Sequence, residues 1–221
     1  MTAPVDIRRF RPRADGYDVV LVLLVVSLVA GAIVPGRVAP LASSSVALAL
    51  WLSVSRAASL ERLAERAGLV AVSVIVVMAV IALSLDSSDL RGAADLATAL
   101  AVAILALIIG RSLLRARIVT LVTVAGLTCL YLLIGLFFAH AYLGAYDFNT
   151  DAFSASFPSV GRFDLIYFSF VTLTTVGFGD ITPAIDATRA LAATQAVLGQ
   201  LFLVTVVARA VGMLGQERIR R

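Results

Sequence analysis

The chain has 221 residues, 61% of them hydrophobic and only 14% charged, with a formal net charge of +4. That apolar content far exceeds what an ordinary soluble domain carries, so the sequence reads as an integral membrane protein. All 18 basic residues are arginines, and they flank apolar spans instead of forming one face, which argues against a nucleic-acid footprint.

Residues 1–16 form a short tail with Arg8, Arg9, Arg11 and Arg13. The first span, Tyr17–Val34, comes close to the ~20 residues that a crossing needs. A basic start before an apolar run also fits a signal peptide, but the run is long and more spans follow it. Pro35-Gly36-Arg37 turns the chain into a weaker second span, about Val38–Val54, with Trp51 toward its cytoplasmic end, where the interface favours aromatics. Leu60–Arg66 is a charged helical link in which Arg62 and Glu65 share a face. The third span is Gly68–Leu85, ended by Asp86-Ser87-Ser88-Asp89. The fourth runs from about Ala93 to Gly110 and is followed by Arg111, Arg115 and Arg117. The fifth, Ile118–Ala139, holds the single cysteine, Cys129, which excludes an intrachain disulfide and leaves the redox compartment unread. His140, at its outer end, reads as an interfacial histidine without a partner.

Asp164–Thr174 reads as a short helix about 16 Å long, enough to reach halfway across a bilayer. Asp164 in its first turn suits the positive end of the helix dipole. The run Thr172-Leu173-Thr174-Thr175-Val176-Gly177-Phe178-Gly179-Asp180 then interrupts the chain between two long apolar segments. Irregular backbone at membrane depth is tolerated only where protein covers it or where it lines a water-filled path. Thr175–Gly179 is therefore expected to face a path. Gly177 and Gly179 can take backbone angles closed to residues with a side chain, so alternate peptide planes can turn toward an axis. Val176 and Phe178 would pack outward, and Thr175 adds a hydroxyl. Rings of backbone carbonyls that replace a cation's water shell are the basis of potassium selectivity.

Pro183 stops this run, and Asp186 is placed to cap the last helix. The sixth span, Ala187–Met213, would be about 40 Å long, more than the ~30 Å hydrocarbon core. Leu203, Val207 and Val211 form one stripe on it, a candidate hydrophobic gate against the competing account of plain helix packing. Gln195 and Gln200 are candidates for bonds between helices. Asp147 and Asp151 read as solvated loop carboxylates, whereas Asp180 abuts the glycine run.

Written out, Thr172-x-x-Thr175-Val176-Gly177-Phe178-Gly179-Asp180 resembles the potassium-channel signature T-x-x-T-V-G-Y-G-D, with Phe178 at the usual tyrosine. The resemblance extends from about Ile118 to Met213. It implies that potassium is the permeant ion and no other cofactor is needed. In the implied filter, Thr175, Val176, Gly177, Phe178 and Gly179, the carbonyls of the first four and the Thr175 hydroxyl coordinate it. It implies four copies around the path, a homotetramer. Asp180, Tyr167, Thr172 and Thr174 would support the filter, with the Tyr167 hydroxyl offered to Asp180, and Gly199 stands where the family often has a gating hinge. The family often has a pore-helix tryptophan and sometimes an acid paired with the aspartate after the filter. Tyr167, Phe168 and Val171 stand there in this sequence, so weaker bracing is expected.

The expected fold is an all-α membrane protein of six transmembrane helices plus a re-entrant pore helix and filter. Residues 1–16 would be a cytoplasmic tail, 17–117 a four-helix peripheral unit, 118–213 the pore domain and 214–221 a second cytoplasmic tail. The peripheral unit resembles a voltage sensor in number of spans only, because Leu96–Gly110 has no charge and a sensor needs arginines along its fourth span. Arginine clusters at 8–13, 56–66, 111–117 and 218–221 all fall on one side of a six-span topology. By the positive-inside rule both termini are cytoplasmic in a cell membrane, plasma or inner, with the filter mouth outside. Membrane lipids are the expected partners, and no cytosolic ligand-binding domain is expected among the few residues after Met213. The function expected is passive potassium conduction with little or no voltage gating, not an enzyme. Two alternatives are a weakly selective cation channel and, remotely, a G-x-G-D intramembrane aspartyl protease using Asp147 and Asp180, for which six spans are too few.

Overall fold

The structure is a computed structural model and describes residues 17–33, 51, 73–74, 76–77, 80–81, 84–85, 87–114 and 121–219. The expected second span apart from Trp51, the Leu60–Arg66 link and much of the third span lie outside the described residues. So does the tail 1–16. Five helices and two short strands are described: α1 (Tyr17–Ile33), α2 (Ser88–Leu114), α3 (Leu121–Phe148), β1 (Phe153–Ala155), α4 (Arg162–Leu173), β2 (Ile181–Pro183) and α5 (Asp186–Ile219). Segments Ser88–Arg111, Thr123–Phe148 and Asp186–Val206 are long and apolar enough to cross a membrane.

Several boundaries moved, each for a local reason. Ser87, in the polar run between the expected spans, opens α2: its Oγ accepts from the Leu90 N–H at 3.4 Å, a side-chain N-cap. Helix α3 continues past Ala139 to Phe148 because Tyr142 and Leu143, beyond His140, are buried and keep the helix packed. At the start of α5, the Arg189 N–H bonds the Ile185 carbonyl at 3.0 Å, so Ile185 holds the cap position and Asp186 is the first helical residue. That helix runs on through Met213 to Ile219 without a break at Gly199.

The described residues are mostly helical, in keeping with the all-α expectation, with the addition that β1 and β2 form a two-stranded antiparallel sheet. Phe153 pairs with Pro183, Ser154 with Thr182 and Ala155 with Ile181. Proline fits here because an edge strand can spare a donor. The pairing joins the segment that follows α3 to the one that precedes α5. Everything between, α4 and the glycine run included, becomes a closed excursion. The Ala184 N–H to Ala152 carbonyl bond at 2.9 Å and the Thr188 hydroxyl to the same carbonyl at 2.9 Å fasten its base.

In lipid, helices gain little by burying leucine, because the tails are as apolar as the side chain, so close packing and hydrogen bonds hold spans together. Helix α2 packs most extensively against α3. At Gly144 a methyl group would lie 2.7 Å from Leu96 and 3.2 Å from the Gly92 carbonyl oxygen, so the absence of a side chain sets that spacing. One core joins Val20 and Leu24 of α1, Leu105 and Ile109 of α2 and Leu133 of α3. Trp51 is buried in it. A second core, around Phe138, Tyr142, Phe153, Leu165, Phe168 and Ile181, lies behind α4. There Tyr142, Phe153 and Phe168 meet edge to face with centroids 5.1–5.6 Å apart.

Candidate functional site

Helix α4 ends in the run singled out by sequence. The Thr174 N–H and hydroxyl both reach the Phe170 carbonyl, at 3.0 and 2.7 Å, and the Val176 N–H reaches the Val171 carbonyl at 3.0 Å. The helix ends at Leu173, with Thr174 as its cap. Positive φ then recurs at every second residue: Thr175 at 60°, Gly177 at 54° and Gly179 at 77°. Val176 and Phe178 between them do not share it. Alternating hand cancels the rotation between successive residues, so peptide carbonyls can stack on one side in a nearly extended strand. Thr175 pays for this in strain of order 1–3 kcal/mol, which persists only where the surroundings over-determine it.

Residues 175–179 are exposed, and no hydrogen bond of the described chain ends on their carbonyls. Nothing lies within 4 Å of where a Cβ would sit on Gly177 or Gly179, so glycine is required there by backbone angle and not by crowding. Val176 and Phe178 leave 53% and 69% of their surfaces exposed, large apolar areas for a chain to present.

The exit of the run is anchored at Asp180. Its Oδ2 accepts from the Tyr167 hydroxyl at 2.9 Å, its Oδ1 from the Ile181 N–H at 3.1 Å, and its carbonyl from the Ser156 N–H at 2.9 Å. The Tyr167 ring also lies parallel to that of Phe178, with centroids 6.3 Å apart.

The rear of α4 is held by α3 and α5. Gln195, fully buried, accepts from the Tyr142 hydroxyl at 2.6 Å and donates to the Ser169 carbonyl and hydroxyl oxygens at 2.9 and 2.8 Å. The Ser169 hydroxyl in turn donates to the Gly135 carbonyl at 2.7 Å. The Tyr131 hydroxyl reaches the Leu173 carbonyl at 3.1 Å. Gly199 presses on the same residue: a methyl there would sit 2.9 Å from the Leu173 carbonyl oxygen. Thr172 is half-buried and Thr174 exposed beside the run. Gln200 and Leu203 are exposed on α5, and the side chains of Val207 and Val211 lie outside the described part.

Two sequence expectations fail at the other end of α4. His140 is not a partnerless interfacial histidine. It is 6% exposed, and its Nδ1 lies 3.0 Å from Asp95 Oδ1. Nor is Asp147 a solvated loop carboxylate: it belongs to α3, and its Oδ2 accepts from Arg162 Nη1 at 2.8 Å. Arg162 Nη2 also donates to Asp95 Oδ2. Asp151 is exposed, as expected of a loop. The signal missed was Asp95 itself, an acid inside an apolar span, which calls for a partner by default. The two strands had a signal too, in the apolar–polar alternation of Phe153-Ser154-Ala155-Ser156-Phe157.

The family model described as "Ion channel" matches residues 126–216, a stretch running from α3 through α4 and the glycine run into α5. No curated protein and no solved structure matches the chain. The match and the long apolar helices support a membrane protein of the ion-channel class. The acids that a protease would need to share a proton are engaged apart from one another, Asp147 with Arg162 and Asp180 with Tyr167.

Proposed function

We propose that this protein is a potassium-selective channel in which four copies of the chain surround one ion path. Carbonyls of Thr175, Val176, Gly177 and Phe178, with the Thr175 hydroxyl, stand in for the hydration shell of potassium, and Gly179 completes the run. The observation that carries this reading is the alternation of left-handed φ at 175, 177 and 179 in a stretch whose carbonyls have no partner among the described residues. Four carbonyl groups in one copy cannot enclose an ion, and the exposed Val176 and Phe178 are suited to pack against a neighbouring copy. Asp180, Tyr167, Thr172 and Thr174 hold the filter. Gly199 remains a hinge candidate and Leu203, Val207 and Val211 a gate on α5, with lipid around the assembly.

The orientation proposed has both termini in the cytoplasm, from the arginine bias. The peripheral helices move little charge with voltage, because no arginine ladder lies in α2 between Leu96 and Gly110. Purified protein in liposomes tests the reading. Potassium flux that greatly exceeds sodium flux, is blocked by barium and varies weakly with voltage is expected. Equal potassium and sodium fluxes would replace it with the weakly selective channel. No flux at all, from a protein that remains monomeric, would end it.

A further inference from the structure

Arg162 is the first residue of α4, and it breaks a local rule. The amino end of a helix carries partial positive charge, so a cation there is disfavoured by about 0.3–1 kcal/mol. Asp164, two residues on, obeys the rule by accepting the Gly161 N–H at 2.7 Å. What holds Arg162 comes from other helices: its fork reaches Asp95 on α2 and Asp147 on α3. A planar guanidinium can bridge two carboxylates in fixed geometry, which an ammonium cannot do as well. His140 completes the cluster by donating Nδ1–H to the second oxygen of Asp95, the direction that a carboxylate acceptor requires.

Stability is a weak reason for such a cluster. Asp95 is 2% exposed inside a candidate span, and a buried ion pair often contributes less than apolar side chains of the same volume would. Its better attested use is to select one geometry out of several. Here the geometry at stake is the seat of α4. That helix runs unbroken for 12 residues from Arg162 to Leu173, a rod about 18 Å long. Sliding or turning its amino end therefore displaces the glycine run at its carboxyl end.

We propose that Arg162 is a positioning residue for the ion-selecting run, and that Asp95, oriented by His140, makes α2 a working part of the selectivity apparatus. The peripheral helix then sets how finely the carbonyls discriminate among cations, through the buried ionic seat at the far end of α4. This inference rests on the channel reading above.

The test measures potassium and sodium flux in liposomes, with tetramer yield measured on the same preparations. Wild-type protein comes first: absence of potassium flux defeats the channel reading, and this proposal falls with it. Given that flux, Asp95→Asn should assemble normally, since Asp147 still partners Arg162, while its potassium-to-sodium ratio drops about tenfold, within the scale of couplings between contacting residues. Arg162→Lys, which keeps the charge but loses the fork, should fall between Asp95→Asn and wild type. Asp151→Asn, an exposed acid of the same region, should keep the wild-type ratio. Asp95→Asn tetramers with wild-type discrimination overturn the proposal. If Asp95→Asn does not assemble, the ratio of Arg162→Lys tetramers decides in the same way. Failure of both to assemble makes the cluster a structural part only, which also overturns it.

Discussion

The two ends of α4 are built on opposite principles. At its carboxyl end, consecutive residues 175–179 stay exposed, and their carbonyls have no partner among the described residues. At its amino end, Asp95, His140, Asp147 and Arg162 come from three helices, are buried or nearly so, and are bonded to one another. Asp95 and Arg162 are 67 positions apart in the chain. In the proposed channel, oxygens that must stay free for an ion cannot also fasten the strand that carries them. The fastening is delegated to neighbours: Asp180 at the exit, Gln195 and Gly199 behind, and the ionic seat at the far end.

Substitutions that disturb one end and spare the other sharpen this contrast. The largest effect is expected from Gly179→Ala. Left-handed backbone costs an alanine roughly 1–2 kcal/mol in each copy, and no described residue of the same copy beyond its chain neighbours lies within 4 Å to clash. Tetramers should form yet lose potassium flux in liposomes, and a conducting Gly179→Ala channel would show that the run does not depend on its left-handed angles. Gln195→Leu should come next, because it strands the buried Tyr142 hydroxyl and removes both bonds to Ser169. Each buried polar group left unsatisfied costs about 1–3 kcal/mol. A lower melting temperature should accompany lower potassium selectivity, and unchanged values of both would remove Gln195 from the support.

Gly199→Ala separates spacing from hinging. A methyl driven against the Leu173 carbonyl should destabilise by about 1–3 kcal/mol, as overpacking does. Melting temperature and flux then fall together, whereas a hinge role alone alters open probability with melting unchanged. Tyr167→Phe is expected to have the smallest effect. It deletes one hydrogen bond to Asp180, worth about 0.5–1.5 kcal/mol, and leaves the ring lying along Phe178. A modest decrease in the potassium-to-sodium ratio is the expected reading. A collapse as deep as that of Gly179→Ala would mean that Asp180, and not the glycine angles, governs the strand.

The glycine run was legible in the sequence because its requirements are local: only glycine takes positive φ without strain, and two glycines in alternation inside a membrane span leave few other uses. For the same reason α1 and the short α4 stand close to where apolar runs and turn residues put them. The ends of α2 and α3 were set too short, since the polar residues at 86–89 and His140 look like span ends until their partners are known.

Sequence by itself thus pointed to a membrane protein, to most of its described apolar helices, and to the run Thr175–Gly179 as the stretch of unusual backbone. Only the tertiary structure decided that Asp95, His140, Asp147 and Arg162 pair with one another, which side of Gly199 is crowded, and that two three-residue strands close the excursion around α4. The physical reason is the range of the forces involved. Backbone angle and hydropathy act between neighbours in the chain and leave a mark in its order, whereas a salt bridge or a close packing contact needs residues that meet only after folding.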